Sequence, residues 1–353
     1  MTAPKKLTIN DIAVAAGVSK ATVSRYLNGH RDQMSAKTWE RIKSVIDVSN
    51  YEPSDIASNL KKKKTNLIGI SIADITSPFS VALIVGISKY LDRHGYTLLI
   101  SDSGDSPEKE QTNIKSLLSK GVAGLLVNPT TYDNNFLIET ACKGIPVVLC
   151  DRKVRNYNLD VVTSDHEAGM RMLIGHLKEK GYTRPILFSE NWEQNSTRMR
   201  RKDSFIRFVE EIYGYCPKEN EDIFRIDHNK GNNTLFQLKC MQKNLLSTDI
   251  PAIIGVNSIT TARVYQAISE LGLSIPNEIG LCGPEDWDWS NELNWPYMIR
   301  PHVTTLKVHS TEIGYQAAQR LLEKINEPNM LPKEISIPCK MQERESTALY
   351  LSK

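Results

Sequence analysis

Thr8-Ile9-Asn10-Asp11-Ile12-Ala13-Val14-Ala15-Ala16-Gly17-Val18-Ser19-Lys20-Ala21-Thr22-Val23-Ser24-Arg25-Tyr26-Leu27-Asn28-Gly29 is the stretch that decides how this chain is built. Thr8 and Asp11 stand three residues apart, the spacing of a capping box in which hydroxyl and carboxylate satisfy the first free amides of a helix. Ile12, Ala13 and Ala16 then form an apolar stripe, and Gly17 stops the helix. Ser19 caps a second helix from Lys20 to Leu27, which Asn28-Gly29 ends. Two short helices joined by a Gly-centred turn predict a helix-turn-helix, whose second helix fits the major groove of DNA. Ser35-Ala36-Lys37-Thr38 opens a third helix, in which Trp39, Ile42, Val45, Ile46 and Val48 are expected to pack beneath the pair.

The charge distribution agrees. Residues 1–64 hold 12 Lys and Arg against 6 Asp and Glu, a net of +6, so the chain total of +3 leaves a net of −3 on the rest. A basic module on a slightly acidic body points to a nucleic-acid partner, with a solvated basic tail as the alternative on charge alone. The 353 residues, 40% hydrophobic and 24% charged, have globular composition and allow two or three domains. Apolar runs such as Gly121 to Val127 fall far short of the ~18 residues that span a bilayer. The polar opening Met1–Lys6 predicts no secretory leader. Six scattered cysteines without a C-x-x-C pair argue against a zinc ribbon or a redox motif, and free thiols in a reducing cytoplasm are expected. No G-x-S-x-G, P-loop or G-x-G-x-x-G occurs and the seven His do not pair at metal spacing, so neither an enzyme nor a metal or cofactor site is expected. Asp165-His166-Glu167 is read as a capped helix start, not an acid–base cluster.

From Leu67 onward, short β-branched strands alternate with amphipathic helices, the pattern of parallel α/β architecture. Strands are predicted at 67–72, 97–101, 124–127, 147–150, 161–163, 186–188, 253–256 and 279–282. Helices fill 78–94, 107–120, 165–180, 200–214, 231–246, 258–272 and 309–326. Ligands of open parallel sheets sit beyond the carboxyl ends of the strands. Those positions are polar or aromatic here: Asp74 with Phe79, Asn128, Asp151-Arg152, Asn191-Trp192, Asn257 and Glu285-Asp286-Trp287.

The Thr8–Gly29 string resembles the head-piece of LacI/GalR transcriptional regulators, as does the segment from Tyr51 and Pro53 through Ile56, Ala57 and Leu60. Arg344-Glu345-Ser346-Thr347-Ala348 resembles that family's last strand. The resemblance implies an all-α helix-turn-helix head-piece over 1–53 and a hinge helix and linker over 54–64. An α/β effector-binding and dimerisation domain would follow over 65–353, made of two doubly wound subdomains like periplasmic binding proteins. One subdomain would span about 65–164 and 296–329, the other about 165–295 and 330–353, with crossings near 165, 295 and 330.

On DNA, Lys20 and Ala21 match the family's base-facing pair. A Lys donates to guanine O6/N7 and an Ala methyl touches the thymine methyl, while Arg25 is expected to make a bidentate guanine contact. Thr8, Ser19, Thr22, Ser24 and Asn28 are read as phosphate contacts. Capping stays open for Thr8 and Ser19, and plain solvent exposure for Thr22 and Ser24. The stretch from Ser54 to Leu60 gives only two turns, too few to hold a helix alone in water. The resemblance implies that it folds in the minor groove, with Ala57 in the hinge helix and Leu60 as the wedge that kinks the duplex.

For the effector, Asn128, Asp151, Arg201, Asn257 and Glu285 match family contact positions, and strand-end placement adds Asp74 and Phe79. Arg152 and Arg198 offer planar forks suited to a carboxylate or phosphate. Trp192 and Trp287 offer faces for sugar C–H surfaces, with core packing as the alternative. Asn257-Ser258 and Gly283-Pro284-Glu285-Asp286 depart from the family's Asn-Asp or Asp-Asp and Gly-Tyr/Phe-Asp-Asp, which bears on a neutral-sugar mode. Aromatics with several Arg favour an acidic sugar, and Asp286-Trp287-Asp288-Trp289 resembles the branch responding to 2-keto-3-deoxygluconate. The expectation is a cytoplasmic homodimeric repressor of carbohydrate catabolism genes, without a membrane partner. A sugar-derived acidic effector would release it from a pseudo-palindromic double-stranded operator. Neutral sugars, sugar phosphates, nucleotides and co-repression stay open as alternatives. No heptad repeat follows Ala348, so a dimer and not a tetramer is expected.

Overall fold

A computed structural model describes residues 7–27, 29–49, 65–227, 233–286 and 294–349. The chain divides into two units, Met1–Thr65 and Asn66–Lys353.

The first unit holds three helices, α1 (Ile9–Ala15), α2 (Lys20–Leu27) and α3 (Ala36–Ser49). Thr8 closes the capping box at the start of α1: its amide and hydroxyl each donate to Asp11 Oδ2 at 2.7 Å, and the Asp11 amide returns to Thr8 Oγ1 at 3.4 Å. Gly17 follows α1 with φ +59°, a left-handed conformation that a side chain would strain. Ser19 Oγ accepts the Thr22 amide at 3.1 Å and so starts α2. Ile12, Ala13, Ala16, Val23 and Ile42 form the core, flanked by Tyr26, Val45 and Ile46. Trp39 sits against Tyr26 with ring centroids 4.3 Å apart. Val48 departs from expectation, being 84% exposed. At 100° per residue it lies about 120° from Ile42 on the α3 wheel, whereas Val45 and Ile46 fall within about 60° of it.

The second unit is built on two six-stranded sheets. The strands are β1 (Leu67–Ile72), β2 (Thr97–Asp102), β3 (Gly124–Val127), β4 (Val147–Cys150), β5 (Asp160–Ser164), β6 (Arg184–Ser189), β7 (Ile223–Arg225), β8 (Pro251–Gly255), β9 (Gly280–Pro284), β10 (Thr304–Lys307), β11 (Glu334–Ile337) and β12 (Lys340–Gln342). The first sheet runs β11-β5-β4-β3-β1-β2, all parallel. The second runs β12-β10-β9-β8-β6-β7, with only β12 antiparallel. Central strands are mostly apolar because helices cover both faces of such sheets. The helices are α4 (Pro78–Arg93), α5 (Pro107–Ser119), α6 (Asn135–Cys142), α7 (His166–Glu179), α8 (Ser196–Tyr213), α9 (Thr234–Asn244), α10 (Ser258–Glu270) and α11 (Ser310–Asn326).

Each sheet defines a subdomain, and the chain crosses between them three times. The first crossing falls between β5 and α7. The other two correct the expected boundaries. They lie at 308–309, between β10 and α11, and at 338–339, between β11 and β12, not near 295 and 330. β10 belongs with β9 because Thr304 pairs with Cys282, and β11 belongs with β5 because Glu334 pairs with Val161. Both strands carry polar residues, Thr304, Thr305 and Lys307 in β10 and Glu334 and Ser336 in β11, in place of the apolar runs of β3 and β4. Arg344–Ala348 is not the last strand either: β12 precedes it, and residues Glu345–Thr347 form a turn of 3-10 helix. There the Ser346 hydroxyl donates to Leu281 O at 2.5 Å, binding the end of the chain to β9.

In the first subdomain α4 and α11 cross at backbone contact. A Cβ on Gly86 would stand 1.9 Å from Thr311 O, and one on Gly314 would stand 2.1 Å from Leu83 O. Since the obstacle is main chain, no side-chain adjustment relieves it. Gly86→Ala is therefore expected to destabilise the protein by about 3 kcal/mol, the upper range for overpacking. Urea unfolding followed by circular dichroism measures this; a loss below about 1 kcal/mol would mean the two helices can move apart.

Candidate functional site

A cleft of about 840 Å³ lies between the two sheets of the second unit. The strand ends build it: Asn128 follows β3, Asp151 and Arg152 follow β4, Glu190 follows β6, and Glu285 follows β9. Asn257 caps α10, its Oδ1 accepting the Thr260 amide at 2.8 Å. Thr197, Arg198 and Arg201 enter from the first turns of α8, whose start Asn195 fixes by accepting the Thr197 and Arg198 amides at 3.1 and 3.0 Å.

Asp151 belongs to the first subdomain but is held by the second. Its Oδ2 accepts Thr197 Oγ1 at 3.0 Å, and Oδ1 lies 3.1 Å from Nε2 of His166 on α7. Burial alone would raise its pKa. His166, Arg201 and Arg152 outweigh burial and hold the carboxyl at about 2. Burial pushes the His166 imidazole the other way, below its ordinary value. Arg201 Nη1 donates to Val256 O at 2.7 Å and to Glu285 Oε1 at 3.0 Å, while Glu285 Oε2 accepts the Ser258 hydroxyl at 2.9 Å. Asp151 and Glu285 both have positive φ, +64° and +77°, a strained conformation that the surrounding bonds maintain. The Trp295 indole donates to Glu285 O at 3.0 Å and so anchors that residue from beneath.

Arg152 and Arg198 enter from opposite subdomains. Arg152 donates to Pro129 O at 3.0 Å and reaches Asp105 Oδ1 at 3.5 Å, and burial with repulsion from Arg198 lowers its pKa. Arg198 donates to Glu190 Oε1 at 3.2 Å. The groups that surround this space suit a polyhydroxylated ligand: carboxylates and amides for hydroxyls, guanidinium groups for an anionic substituent.

In the first unit, Ser19, Lys20, Ala21 and Arg25 are exposed on or just before α2, whose one buried residue is Val23. Thr22 and Ser24 are partly buried. The helix thus keeps one face for its own core and leaves another to a partner.

Residues 65–345 match the family model described as periplasmic binding proteins and sugar binding domain of the LacI family, and residues 8–54 match that of bacterial regulatory proteins, lacI family. The chain belongs to the LacI family. It is 33% identical to the HTH-type transcriptional regulator KdgR of Bacillus subtilis, over 96% of this chain and 97% of that protein. Identity to the HTH-type transcriptional regulator PtxS of Pseudomonas aeruginosa is 29%, over 97% and 96% of the two chains. The fold matches a lac repressor dimer bound to operator and an anti-inducer, with a TM-score of 0.81 at 23% identity, covering 97% of this chain and 99% of that one. This LacI-family protein is a DNA-binding transcriptional regulator.

Of the residues singled out for the effector, Asp74, Phe79, Asn128, Asp151, Arg152, Arg198, Arg201, Asn257 and Glu285 all line the cleft. Trp192 does not. It is 5% exposed in the core of the second subdomain with Phe205 and Phe208, its ring covered by Arg225 and Lys202 at 4.3 and 4.7 Å. The turn after β6 directs it inward, and it supports Arg225, which does reach the cleft. Trp287, Asn28, Ala57 and Leu60 lie outside the described residues. Sequence reasoning missed Glu190. Ending β6 at Phe188 hid it, whereas the strand runs to Ser189 and makes Glu190 the first residue beyond it, as Asp151 is beyond β4.

The buried His166 generates a pH dependence. Its pKa is depressed on folding, so the unfolded chain takes up the proton first; its stabilising effect is complete above about pH 6.5 and fades as the pH falls below it. His176, also lowered by burial, acts in the same direction. Asp151 holds its contribution down to about pH 4 and loses it only as the pH falls toward 2. The melting temperature should therefore drop between pH 7 and pH 5, and His166→Asn should flatten that slope. Scanning calorimetry measures both; an unchanged slope in the variant would assign the effect elsewhere.

Proposed function

We propose that the protein is a homodimeric repressor of carbohydrate catabolism genes, released from a pseudo-palindromic operator by a small sugar acid such as 2-keto-3-deoxygluconate. The observation that carries this reading is the cleft in which Arg152 and Arg198 stand among Asn128, Asp151, Asn257 and Glu285. An anionic end would be met by the two guanidinium groups and a chain of hydroxyls by the acids and amides. The likeness to KdgR supports it. A cytoplasmic location and the absence of catalysis belong to the same reading, and among the described residues no helix is long and apolar enough to cross a membrane. A neutral sugar is the second reading, favoured by the carboxylates that already engage Arg198 and Arg201.

In the DNA-bound dimer, Lys20, Ala21 and Arg25 would read bases while Thr8, Ser19, Thr22, Ser24 and Asn28 set register on phosphates. Ala57 and Leu60 would act in paired hinge helices at the operator centre. The effector would bind two orientations of the subdomains with different affinities and so shift their populations.

Fluorescence anisotropy tests the reading with a CG-centred palindrome and a panel of sugar acids, neutral sugars and sugar phosphates. Release by a sugar acid alone supports it; release by a neutral sugar alone favours the second reading; no preference for the palindrome over random DNA sinks both. Arg25→Ala should weaken operator binding about 5- to 150-fold and relax one base position, with little effect on random DNA. Equal losses on both DNAs would mean that Arg25 contacts phosphate.

A further inference from the structure

Glu190 lies against two donors that a ligand in the cleft would use. Its Oε1 accepts Arg198 Nη2 at 3.2 Å, and its two oxygens stand 3.1 and 3.2 Å from Asn257 Nδ2. Neither donor got there by accident of rotation. Asn257 Oδ1 is committed to the cap of α10, which aims Nδ2 at Glu190, and Arg198 is steadied by a second bond to Asn191 O at 3.2 Å. The Glu190 side chain is only 12% exposed, so its charge acts in a medium far less polarisable than water.

The cleft carries charges of both signs, with Asp74, Asp105, Asp227 and Arg225 on its lining beside the more buried groups. Three mostly buried guanidinium groups, Arg152, Arg198 and Arg201, face three mostly buried carboxylates, Asp151, Glu190 and Glu285. Asp151 and Glu285 are built into the scaffold by their left-handed backbones and their bonds to Thr197 and Ser258. Glu190 meets Arg198 and Asn257 together.

We propose that Glu190 is a resident counter-ion that sets the charge preference of the cleft, admitting a ligand with one negative charge and disfavouring the dianion of a sugar phosphate. The inference rests on the reading of the cleft as the effector site. Coulomb energy scales with the product of the charges, so removing one negative charge leaves a neutral ligand's affinity unchanged. It strengthens a monoanion by some factor and a dianion by about the square of that factor. Glu190→Gln makes this change while keeping an oxygen to accept from Arg198 and Asn257.

The test is calorimetric titration of the full chain and of Glu190→Gln with three six-carbon ligands: glucitol, gluconate and glucitol 6-phosphate. Expected in the variant are about tenfold tighter gluconate and about a hundredfold tighter glucitol 6-phosphate, with glucitol unchanged within about twofold. An equal change for all three would make Glu190 a hydroxyl acceptor and overturn the proposal. So would unchanged or weaker gluconate, or no binding of any ligand to either protein. An unaltered melting temperature and operator affinity show that the variant is folded. Failure of the effector reading alone looks different: gluconate tightens in the variant, yet operator affinity responds to it in neither protein.

Discussion

The carboxylate of Asp151 is the joint on which the second unit depends. It stands just past β4 in one sheet, accepts the Thr197 hydroxyl of the other subdomain and lies 3.1 Å from that subdomain's His166. Burying a charge there would be costly by itself, and removing a partner from such a group costs more than a surface pair ever returns. The backbone pays attention to the same point: Asp151 O accepts the Thr163 hydroxyl at 2.9 Å, and its amide donates to Val162 O at 2.7 Å. Around it run further bonds between the subdomains, from the Tyr132 amide to Gln194 O at 2.9 Å and from the Lys153 amide to Ser196 Oγ at 2.7 Å. The position of α8, and with it Arg198 and Arg201, follows from this set.

The two units solve different problems with the same economy. In the head-piece one small apolar cluster holds three helices and leaves the Lys20–Arg25 face outward. In the body, parallel strands deliver their last residues to one edge, so the polar groups of the cleft are placed by main chain and not by long flexible side chains. LacI-family membership joins the two as DNA reader and ligand sensor.

Much of this was legible in the sequence, and the exceptions have physical causes. The Thr8–Asp11 cap and the continuous apolar runs of β3 and β4 announce themselves because local chemistry alone determines them. Strand-end position found most of the cleft for the same reason. Trp192 could not be placed from its neighbours, since whether a loop aromatic turns inward depends on the space beside Phe205 and Phe208. The crossings at 308–309 and 338–339 were hidden because β10 and β11 are short and half polar, and their sheet is chosen by distant partners. Glu190 was lost to a single residue of strand length, and α6 to an eight-residue helix with too few turns for its period to stand out.

The three crossings also order the protein's birth on the ribosome. The face of the first sheet's central strands lacks α11 until residue 326 has emerged, and its edge lacks β11 until residue 337; the second sheet lacks β12 until residue 342. The first subdomain in particular must wait with apolar strands uncovered until α11 is made, the situation in which chaperones meet their clients. The head-piece has no such wait: its described core is complete once Ile46 is made. A DNA reader is thus finished long before the sensor that governs it, and early termination would release the one without the other.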